Sequence, residues 1–253
     1  MLLARAIVRT VISRPIGLRK TGARIWHPYT HHPILRKISS SACLSSNALL
    51  SRAEFTAGVT APRSKRIVVA ITGATGIALA IRLLQILKQL NIETHVIISK
   101  WGLATMKFET DWNEYDLAAL ATKTYSVKNV SASISSGSFQ HDGMIVVPCS
   151  MKTLAAIRIG FTEDLITRAA DVSIKERRKL LLVTRETPLS SIHLENMLTL
   201  CKAGVIIFPP VPAFYTCPKS IDDVIEQSVG RILDCFGIHV DSFPRWEGIK
   251  RNL

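Results

Sequence analysis

Cysteine is scarce in this sequence, and the few cysteines follow no pattern. The chain of 253 residues has five, none of them in a C-x-x-C pair, and the count is odd. Disulfide frameworks and structural zinc sites need paired, regularly spaced cysteines, so we expect neither to organise the fold. Such cysteine usage is typical of a reducing compartment, for example the cytosol or the mitochondrial matrix.

Long apolar runs and clusters of metal ligands are also missing. No stretch approaches the roughly 20 consecutive apolar residues with which a helix crosses a bilayer, so we expect no membrane span. No group of His, Asp and Glu has the spacing of metal ligands, and we expect no metal cofactor. The composition, 47% hydrophobic over 253 residues, is sufficient for one large domain with a full core.

Acidic residues are nearly absent from the first 64 positions. These positions hold ten Lys and Arg residues against the single acid Glu54, and carry +9 of the net charge of +13. Because most of the basic excess belongs to this segment, we expect no nucleic-acid partner. An Arg-rich, Ser-rich, acid-poor N-terminus is typical of a mitochondrial transit peptide. We predict a mostly disordered transit peptide over 1–60, a catalytic domain over 61–253 and a matrix location; a disordered basic tail is the alternative.

The clearest positive signal is the stretch RIVVAITGATG. Five apolar residues, Ile67–Ile71, are followed by the turn Thr72–Gly76 and then by an amphipathic helical pattern. This order is typical of the opening unit of a parallel α/β sheet. The turn brings backbone N–H groups to a helix N-terminus, an arrangement that binds phosphates. It does not complete G-x-G-x-x-G, so the dinucleotide fingerprint is not met.

Short apolar strands alternate with helical stretches along the rest of the chain. This alternation predicts one doubly wound, Rossmann- or flavodoxin-like parallel sheet with helices on both faces. The predicted strands are 67–71, 94–98, 144–147, 180–183 and 205–208. The predicted helices are 77–90, 104–110, 114–121, about 150–157, one or two within 163–179, 190–201 and 221–236.

Polar residues follow several of these strands. Ligands of open parallel sheets bind beyond the carboxyl ends of the strands, so we expect a site at that edge. The residues expected to converge there are Thr75, Ser99, Ser150–Thr153, Arg185–Glu186 and Tyr215.

Ten short motifs between residues 66 and 248 strengthen this expectation. They are TGATG (72–76), ISK (98–100), ETD (109–111), SSGS (135–138), PCSMKT (148–153), TRAADVSIKERR (167–178), TRETPLSSIHLENM (184–197), PPVPAFY (209–215), GRIL (230–233) and PRWEG (244–248). In this order they closely resemble the UbiX-type flavin prenyltransferases, above all the fungal mitochondrial branch once called phenylacrylic acid decarboxylase.

The resemblance implies a metal-independent prenyltransferase. Such an enzyme joins the dimethylallyl group of dimethylallyl phosphate to N5 and C6 of reduced FMN. The prenylated FMN would serve a UbiD-type decarboxylase of aromatic acids. The resemblance also implies a homo-oligomer, typically a dodecamer, with sites shared between subunits.

The same resemblance implies roles for individual residues. FMN would be bound by Gly73, Ala74, Thr75, Ser99, Ser150, Met151, Lys152, Thr153 and Arg185. Dimethylallyl phosphate would be bound by Tyr215, Arg231, Lys175 and Trp246. The catalytic groups would be Glu186, Glu109, Thr75 and Lys175. The chain departs from the family at Thr75, where serine is frequent; the hydroxyl is kept and a methyl group is added.

The chemistry of the implied reaction calls for residues of these types. Negative charge develops on the phosphate as the allylic C–O bond breaks, and Arg185, Arg231 and Lys175 would stabilise it. Ring closure at C6 requires a proton to leave. Glu186 and Glu109 are the candidate acid/base groups, with the phosphate product as a competitor. We favour Glu186, because it follows a strand directly.

Plainer structural interpretations remain open for several of these residues. A salt bridge to Arg185 or to a partner subunit would account for Glu186, and a helix N-cap would account for Ser150. On the same structural interpretation, Glu109 and Lys175 would be solvated surface residues, and Trp246 would be a packing residue near the C-terminus.

Other functions also remain open. A short-chain-type nicotinamide oxidoreductase would use a Tyr-x-x-x-Lys pair, and Tyr215 and Lys219 have that spacing. Pro218 argues against it, because proline prevents the regular helix on which the two side chains would share a face. The further alternatives are a flavin-dependent decarboxylase of aromatic acids or a cysteinyl peptide, and a non-catalytic FMN-binding partner protein.

Overall fold

The computed structural model describes residues 63–248. These residues all lie in the second of the two units into which the chain divides, Thr60–Leu253. The predicted transit peptide, 1–60, lies outside the described residues, and the predicted domain bounds of 61–253 stay a prediction.

Within residues 63–248, six strands form one parallel sheet. They are β1 (Arg66–Ile71), β2 (Glu93–Ile98), β3 (Lys123–Ser126), β4 (Gly143–Cys149), β5 (Leu180–Thr184) and β6 (Ile206–Ile207). The strand order is β3-β2-β1-β4-β5-β6, and every neighbouring pair is parallel. This is the strand order of a Rossmann fold, whose direction of winding reverses between β1 and β4. The predicted parallel sheet is therefore confirmed.

Helices cover both faces of the sheet, as predicted. They are α1 (Ile77–Gln89), α2 (Lys100–Glu109), α3 (Glu114–Leu120), α4 (Met151–Ile159), α5 (Leu165–Lys175), α6 (Ser191–Lys202) and α7 (Ile221–Asp234). Successive residues of β1 point to opposite faces. Ile67 and Val69 pack in one core with α1 and α7, while Val68 and Ala70 pack in a second core with α4, α5 and α6.

Two elements differ from the sequence-based expectation. β3 was not predicted, because three of its four residues are exposed and it lies at the edge of the sheet, where burial leaves little pattern. The predicted start of α2 at Ala104 is wrong. The helix begins at Lys100, because Ser99 Oγ accepts a hydrogen bond from the Gly102 N–H at 2.9 Å and caps it.

Across residues 63–248, every helix is too short or too polar to span a bilayer. The same residues bring together no group of three or more His, Cys, Asp or Glu side chains that could hold a metal ion.

Candidate active site at the carboxyl edge of the sheet

Thr72 joins the ends of β1 and β4, where the winding of the sheet reverses. Its hydroxyl donates a hydrogen bond to the Pro148 carbonyl at 2.8 Å and accepts one from the Ser150 N–H at 2.8 Å. The side chain is 2% exposed. These two bonds hold the TGATG turn against the start of α4, so both sides of the crevice between β1 and β4 are fixed.

Gly73 allows α2 to approach this turn closely. A Cβ atom at Gly73 would lie 2.3 Å from Trp101 Cβ and within 3.3 Å of the Trp101 backbone. Only glycine fits without a shift of the helix. The close approach brings Ser99 to the same crevice, and the Ser99 N–H donates to the Ile71 carbonyl at 2.9 Å.

A cavity of about 260 Å³ opens between these segments. Three helix N-termini border it. That of α5 is capped by Asp164, whose Oδ1 accepts from the Thr167 N–H at 2.9 Å, and the other two are capped by serines: Ser99 for α2 and Ser150, whose Oγ accepts from the Thr153 N–H at 3.3 Å, for α4. Neither of the serine-capped helices has an acidic residue in its first turn, so the positive ends of both dipoles are available to an anion. The predicted FMN residues that line the cavity are Gly73, Ser99, Ser150, Lys152 and Thr153.

The cavity is smaller than the roughly 300–1,000 Å³ that encloses most organic ligands. Trp101 and Phe161, which line it, are 68% and 53% exposed. A flavin that places its phosphate at the serine-capped helices would therefore extend past these rings. Two carboxylates, Glu163 and Asp164, also line the cavity, and Oδ1 of Asp164 is already engaged by the N–H and hydroxyl of Thr167. The hydroxyls, the helix N-termini and the Lys152 ammonium remain as the groups that fit the phosphate of FMN.

A larger cavity, about 570 Å³, lies beside α7 and suits an anion less well. Arg82 forms an ion pair there with Glu226. Four carboxylates line its wall, so it would repel a phosphate: Glu109, Asp111, Asp222 and Glu226.

Glu109 binds the turn that carries Thr75. Its carboxylate accepts hydrogen bonds from the Gly76 N–H at 2.9 Å and from the Ile77 N–H at 2.9 Å, and so caps α1. Gly76 has φ 105°, a conformation that favours glycine. The structure thus brings Thr75 and Glu109, two predicted catalytic residues, to one turn. It also gives Glu109 a structural role that the sequence did not indicate.

The remaining FMN residues of the first motifs lie close by. The Ala74 N–H donates to the Thr72 carbonyl at 3.0 Å within the same turn. Met151 opens α4 and packs against the second core. Cys149, just before Ser150, is fully buried, and this burial raises the pKa of its thiol far above its usual range, so it is no nucleophile.

Arg185 and Glu186 follow β5 at the same edge. The Arg185 N–H donates to the Cys149 carbonyl at 3.3 Å, which places the residue beside the end of β4. Both side chains are exposed, and Glu186 accepts from the Thr187 N–H at 3.0 Å. No ion pair joins Arg185 and Glu186 within the part of the chain that the structure describes. The two neighbours therefore do not form the salt bridge considered for Glu186, and a salt bridge to a partner subunit stays a prediction.

Three of the predicted substrate residues form a second group, on α7 and the segment after it. The rings of Tyr215 and Trp246 meet edge to face at a centroid distance of 5.6 Å. Arg245, next to Trp246, and Arg231 on α7 both donate to the Asp234 carboxylate, at 2.8 Å and 2.9 Å. Asp234 thus links Arg231 to the segment that carries Trp246, and the Trp246 ring contacts Tyr215.

This second group lies along α7, which runs from the carboxyl edge of the sheet to the amino edge. Lys179, just before β5, donates to the carbonyl of Cys235, which follows α7. Arg231 lies ten residues after Ile221, or roughly 15 Å along the helix at 1.5 Å per residue. Within one protomer, Arg231 therefore does not join the edge on which Arg185 lies.

Lys175 lies at the opposite edge of the sheet from the cavity. It ends α5, just before β5, and pairs with Glu176. The neighbouring Lys179 carbonyl accepts from the Met144 N–H at the start of β4. The length of β4, seven residues, separates the two edges by roughly 20 Å at 3.3 Å per residue. Lys175 cannot reach the Arg185 edge of its own protomer.

Sequence reasoning missed Thr72, Asp234 and Arg245. Thr72 lies inside the TGATG motif, but its partners are 76 and 78 residues away. Arg245 lies inside the PRWEG motif, and Asp234 follows GRIL directly. A requirement that the cations near a phosphate site be oriented by a carboxylate would have pointed to Asp234.

The described structure does not support the nicotinamide-enzyme alternative. Phe214–Thr216 forms one 3₁₀ turn, and Cys217 has φ 51°. Tyr215 and Lys219 therefore do not share a face of a regular helix.

Comparison with known proteins gives concordant matches. The family model described as Flavoprotein matches residues 59–235. The chain is 75% identical over 223 residues to the mitochondrial flavin prenyltransferase of Saccharomyces cerevisiae, which covers 88% of this chain and 92% of that protein. It is 52% identical over 185 residues to the flavin prenyltransferase LpdB of Lactiplantibacillus plantarum, which covers 73% of this chain and 99% of that one.

Solved structures agree with these sequence matches. A crystal structure of AnUbiX in complex with FMN and dimethylallyl pyrophosphate superposes with a TM-score of 0.73 at 58% identity, over 74% of this chain and 100% of that one. A dodecameric, FMN-dependent UbiX-like decarboxylase from Escherichia coli O157:H7 gives a TM-score of 0.71 at 52% identity, over 72% of this chain and 100% of that one.

Proposed function

Because the chain belongs to the UbiX-type flavin prenyltransferases within the Flavoprotein family, we propose that it makes prenylated FMN. It transfers the dimethylallyl group of dimethylallyl phosphate to N5 and then C6 of reduced FMN. FMN and dimethylallyl pyrophosphate are bound together in the AnUbiX relative, which supports this pair of ligands.

The observation that carries the proposal is the crevice between β1 and β4, where two serine-capped helix N-termini meet. The Ser99 and Ser150 helices direct N–H groups to one cavity, and Lys152 adds a positive charge beside it. A phosphate at this place gains from both helix dipoles. The hydroxyl of Thr72 is already occupied by two backbone groups, so it fixes the walls and leaves binding to the serines and Thr153.

The donor phosphate is bound where copies of the chain meet. Lys175 and Arg231 lie away from the Arg185 edge of their own protomer, so a site that uses all three must combine residues of different copies. Large apolar side chains on the outer surface support such an assembly, among them Phe108 at 91% and Tyr115 at 87% exposed. We propose a homo-oligomer, and the dodecameric relative from Escherichia coli suggests its size.

In the assembled site each side chain has a distinct task. FMN, once reduced, supplies the electron-rich N5 and C6 atoms that accept the allyl group. The bonding electrons of the allylic C–O bond leave with the phosphate, and Arg185, Arg231 and Lys175 stabilise its charge while Tyr215 donates a hydrogen bond. Trp246 packs against Tyr215 and excludes water from one side.

Ring closure would add one proton to the alkene of the transferred group and release one from C6, so it needs an acid/base group at the carboxyl edge. Glu186 is exposed there and carries no ion pair within residues 63–248, so its carboxylate is available. Glu109 holds the Thr75 turn through two backbone N–H groups, so its carboxylate is already engaged as an acceptor. We assign the main acid/base role to Glu186 and a supporting one to Glu109 and Thr75.

The cellular context follows from the relatives and from the reaction product. The yeast relative is a mitochondrial protein by name, which supports a mitochondrial location for this chain. We propose the matrix as its compartment. Prenylated FMN is a cofactor and not an end product, so an enzyme must consume it; we propose a UbiD-type decarboxylase of aromatic acids.

The test is an anaerobic incubation of the purified protein with reduced FMN and dimethylallyl phosphate. We expect a flavin that is heavier by one five-carbon unit, with release of inorganic phosphate. Recovery of unchanged FMN would refute the proposal and favour a non-catalytic FMN-binding protein. Release of carbon dioxide from an aromatic acid by this protein alone would favour the decarboxylase.

A further inference from the structure

Asp234 lies at the C-terminal end of α7, and the side chains of two arginines and a histidine contact its carboxylate. Its side chain is only 11% exposed. Oδ2 accepts from Arg231 at 2.9 Å and from Arg245 at 2.8 Å, and Oδ1 accepts a second bond from Arg245 at 3.0 Å. His239 Nδ1 lies 3.3 Å from Oδ1. The bidentate pair with Arg245 has the fork geometry that makes arginine–carboxylate contacts strong.

The pair with Arg245 attaches the C-terminal segment 241–246 to α7. Phe243 contributes a second attachment, because its ring lies over Gly230, where a Cβ atom would approach it to 1.9 Å. The Arg245 guanidinium stacks on that ring at 4.6 Å from its centroid. Trp246 then reaches Tyr215. The attachment at Asp234 therefore decides where Trp246 lies.

The two arginines differ in how many of their hydrogen-bond donors are already used. The terminal nitrogens of Arg245 donate hydrogen bonds to Asp234 and, at 2.9 Å, to the Val240 carbonyl. Arg245 therefore attaches its segment to α7. Arg231 uses one nitrogen on Asp234 and is 51% exposed. Its other donors face outward, held in one orientation by the carboxylate. Hydrogen bonds from both arginines keep the pKa of Asp234 below its usual value, so the carboxylate stays ionised near neutral pH.

We propose that Asp234 is a positioning residue for donor binding, which orients Arg231 directly and, through Arg245, holds Trp246 against Tyr215. The inference rests on the proposed function, because it takes Arg231, Tyr215 and Trp246 as the donor site. In this proposal one carboxylate fixes the relative positions of these three residues, which come from separate parts of the chain. In this proposal Asp234 acts through these three residues and not through a contact of its own with the donor or FMN.

The test compares Asp234→Asn with Asp241→Asn. Asp241 lies in the same segment near Arg245, but forms no hydrogen bond to it in the described structure, so it controls for charge. For Asp234→Asn we expect the KM for dimethylallyl phosphate to rise by about tenfold or more, the value of one charge-assisted hydrogen bond. The dissociation constant of FMN should stay unchanged. Asp241→Asn should match the wild type in both measurements.

A double-mutant cycle with Arg245→Lys separates positioning from general damage. Lysine keeps the charge but loses the bidentate contact, so Arg245→Lys should raise KM by itself. The double variant should be no worse than Asp234→Asn alone, because both changes break one attachment. Additive losses would overturn the inference, and so would an equal weakening of FMN binding.

Two further outcomes keep the test decisive. If Asp234→Asn does not fold, Arg245→Lys and Arg245→Met test the inference in its place. An unchanged KM for dimethylallyl phosphate in both variants would overturn the inference. If the wild type does not prenylate FMN, the proposed function fails first. Dimethylallyl phosphate affinity measured by calorimetry then still tests Asp234, since equal affinity in wild type and Asp234→Asn would overturn its positioning role.

Discussion

The Thr72 hydroxyl offers a sharp test of how the FMN crevice is held, since valine has the same shape without the hydroxyl. In Thr72→Val, the hydrogen bonds to the Pro148 carbonyl and from the Ser150 N–H, both 2.8 Å, are lost in a site that is 2% exposed. The Pro148 carbonyl keeps the Thr72 N–H as a donor at 3.3 Å, so the lost bonds together contribute about 1 kcal/mol, and the unsatisfied buried Ser150 N–H adds about 1–3 kcal/mol. We expect the free energy of unfolding to fall by about 2–4 kcal/mol.

Thr72→Ser is the matched control. Serine keeps both hydrogen bonds and removes one methyl group, which costs about 0.8 kcal/mol. For a domain of this size, 1 kcal/mol lowers Tm by about 2–4 °C. We therefore expect a loss of about 5–15 °C for valine and a few degrees at most for serine, both measured by circular dichroism.

FMN binding supplies the functional half of this test. Since Thr72 holds Ser150 and the start of α4 in place, FMN should bind more weakly to Thr72→Val than to Thr72→Ser, as followed by the quenching of flavin fluorescence. If valine matched the wild type in Tm and in FMN affinity, the bridge between β1 and β4 would not organise the site.

Three further predictions address single residues. Glu109→Ala removes the α1 cap and should lower the free energy of unfolding by about 1–2 kcal/mol, whereas Glu109→Gln keeps an acceptor oxygen and should lose less; equal losses in chemical denaturation would contradict the capping role. Glu186→Gln should bind FMN normally but form prenylated FMN slowly, and wild-type turnover would rule out its acid/base role. Burial, with Arg178 nearby, lowers the pKa of His141 to about 4 from about 6.5. Its native state stays neutral while the unfolded chain takes up a proton, so stability should fall by about 2 kcal/mol as the pH drops from 6.5 to 4, and His141→Gln should flatten that slope in denaturation curves.

The features that could be predicted from the sequence are local ones. Ser150 and Ser220 each cap a helix through a backbone N–H three residues later, a contact between residues that are close in the sequence. The apolar run Ile67–Ile71 and the turn after it likewise form a unit whose parts are adjacent.

The features that could not be predicted depend on distant partners. β3 has a weak pattern because an edge strand with exposed side chains needs only one neighbour, here β2. Thr72 was missed because its hydrogen-bond partners lie at the end of β4 and directly after it, far along the chain. Asp234 was missed because its partner Arg245 follows eleven residues later. The resemblance assigns Lys175 to the donor site, a role that stays a prediction, and no local pattern shows that α5 carries it to the far edge of the sheet.

The most direct test of the shared donor site is a mixed assembly of two inactive variants, Lys175→Ala and Arg185→Ala. The two would be co-expressed with different tags and purified through both. If each site takes Arg185 from one copy and Lys175 from another, about a quarter of the sites in a random mixture receive both intact side chains. We therefore predict that the mixture recovers about a quarter of wild-type prenyl transfer, whereas activity no higher than that of either variant alone would contradict a site built from more than one copy.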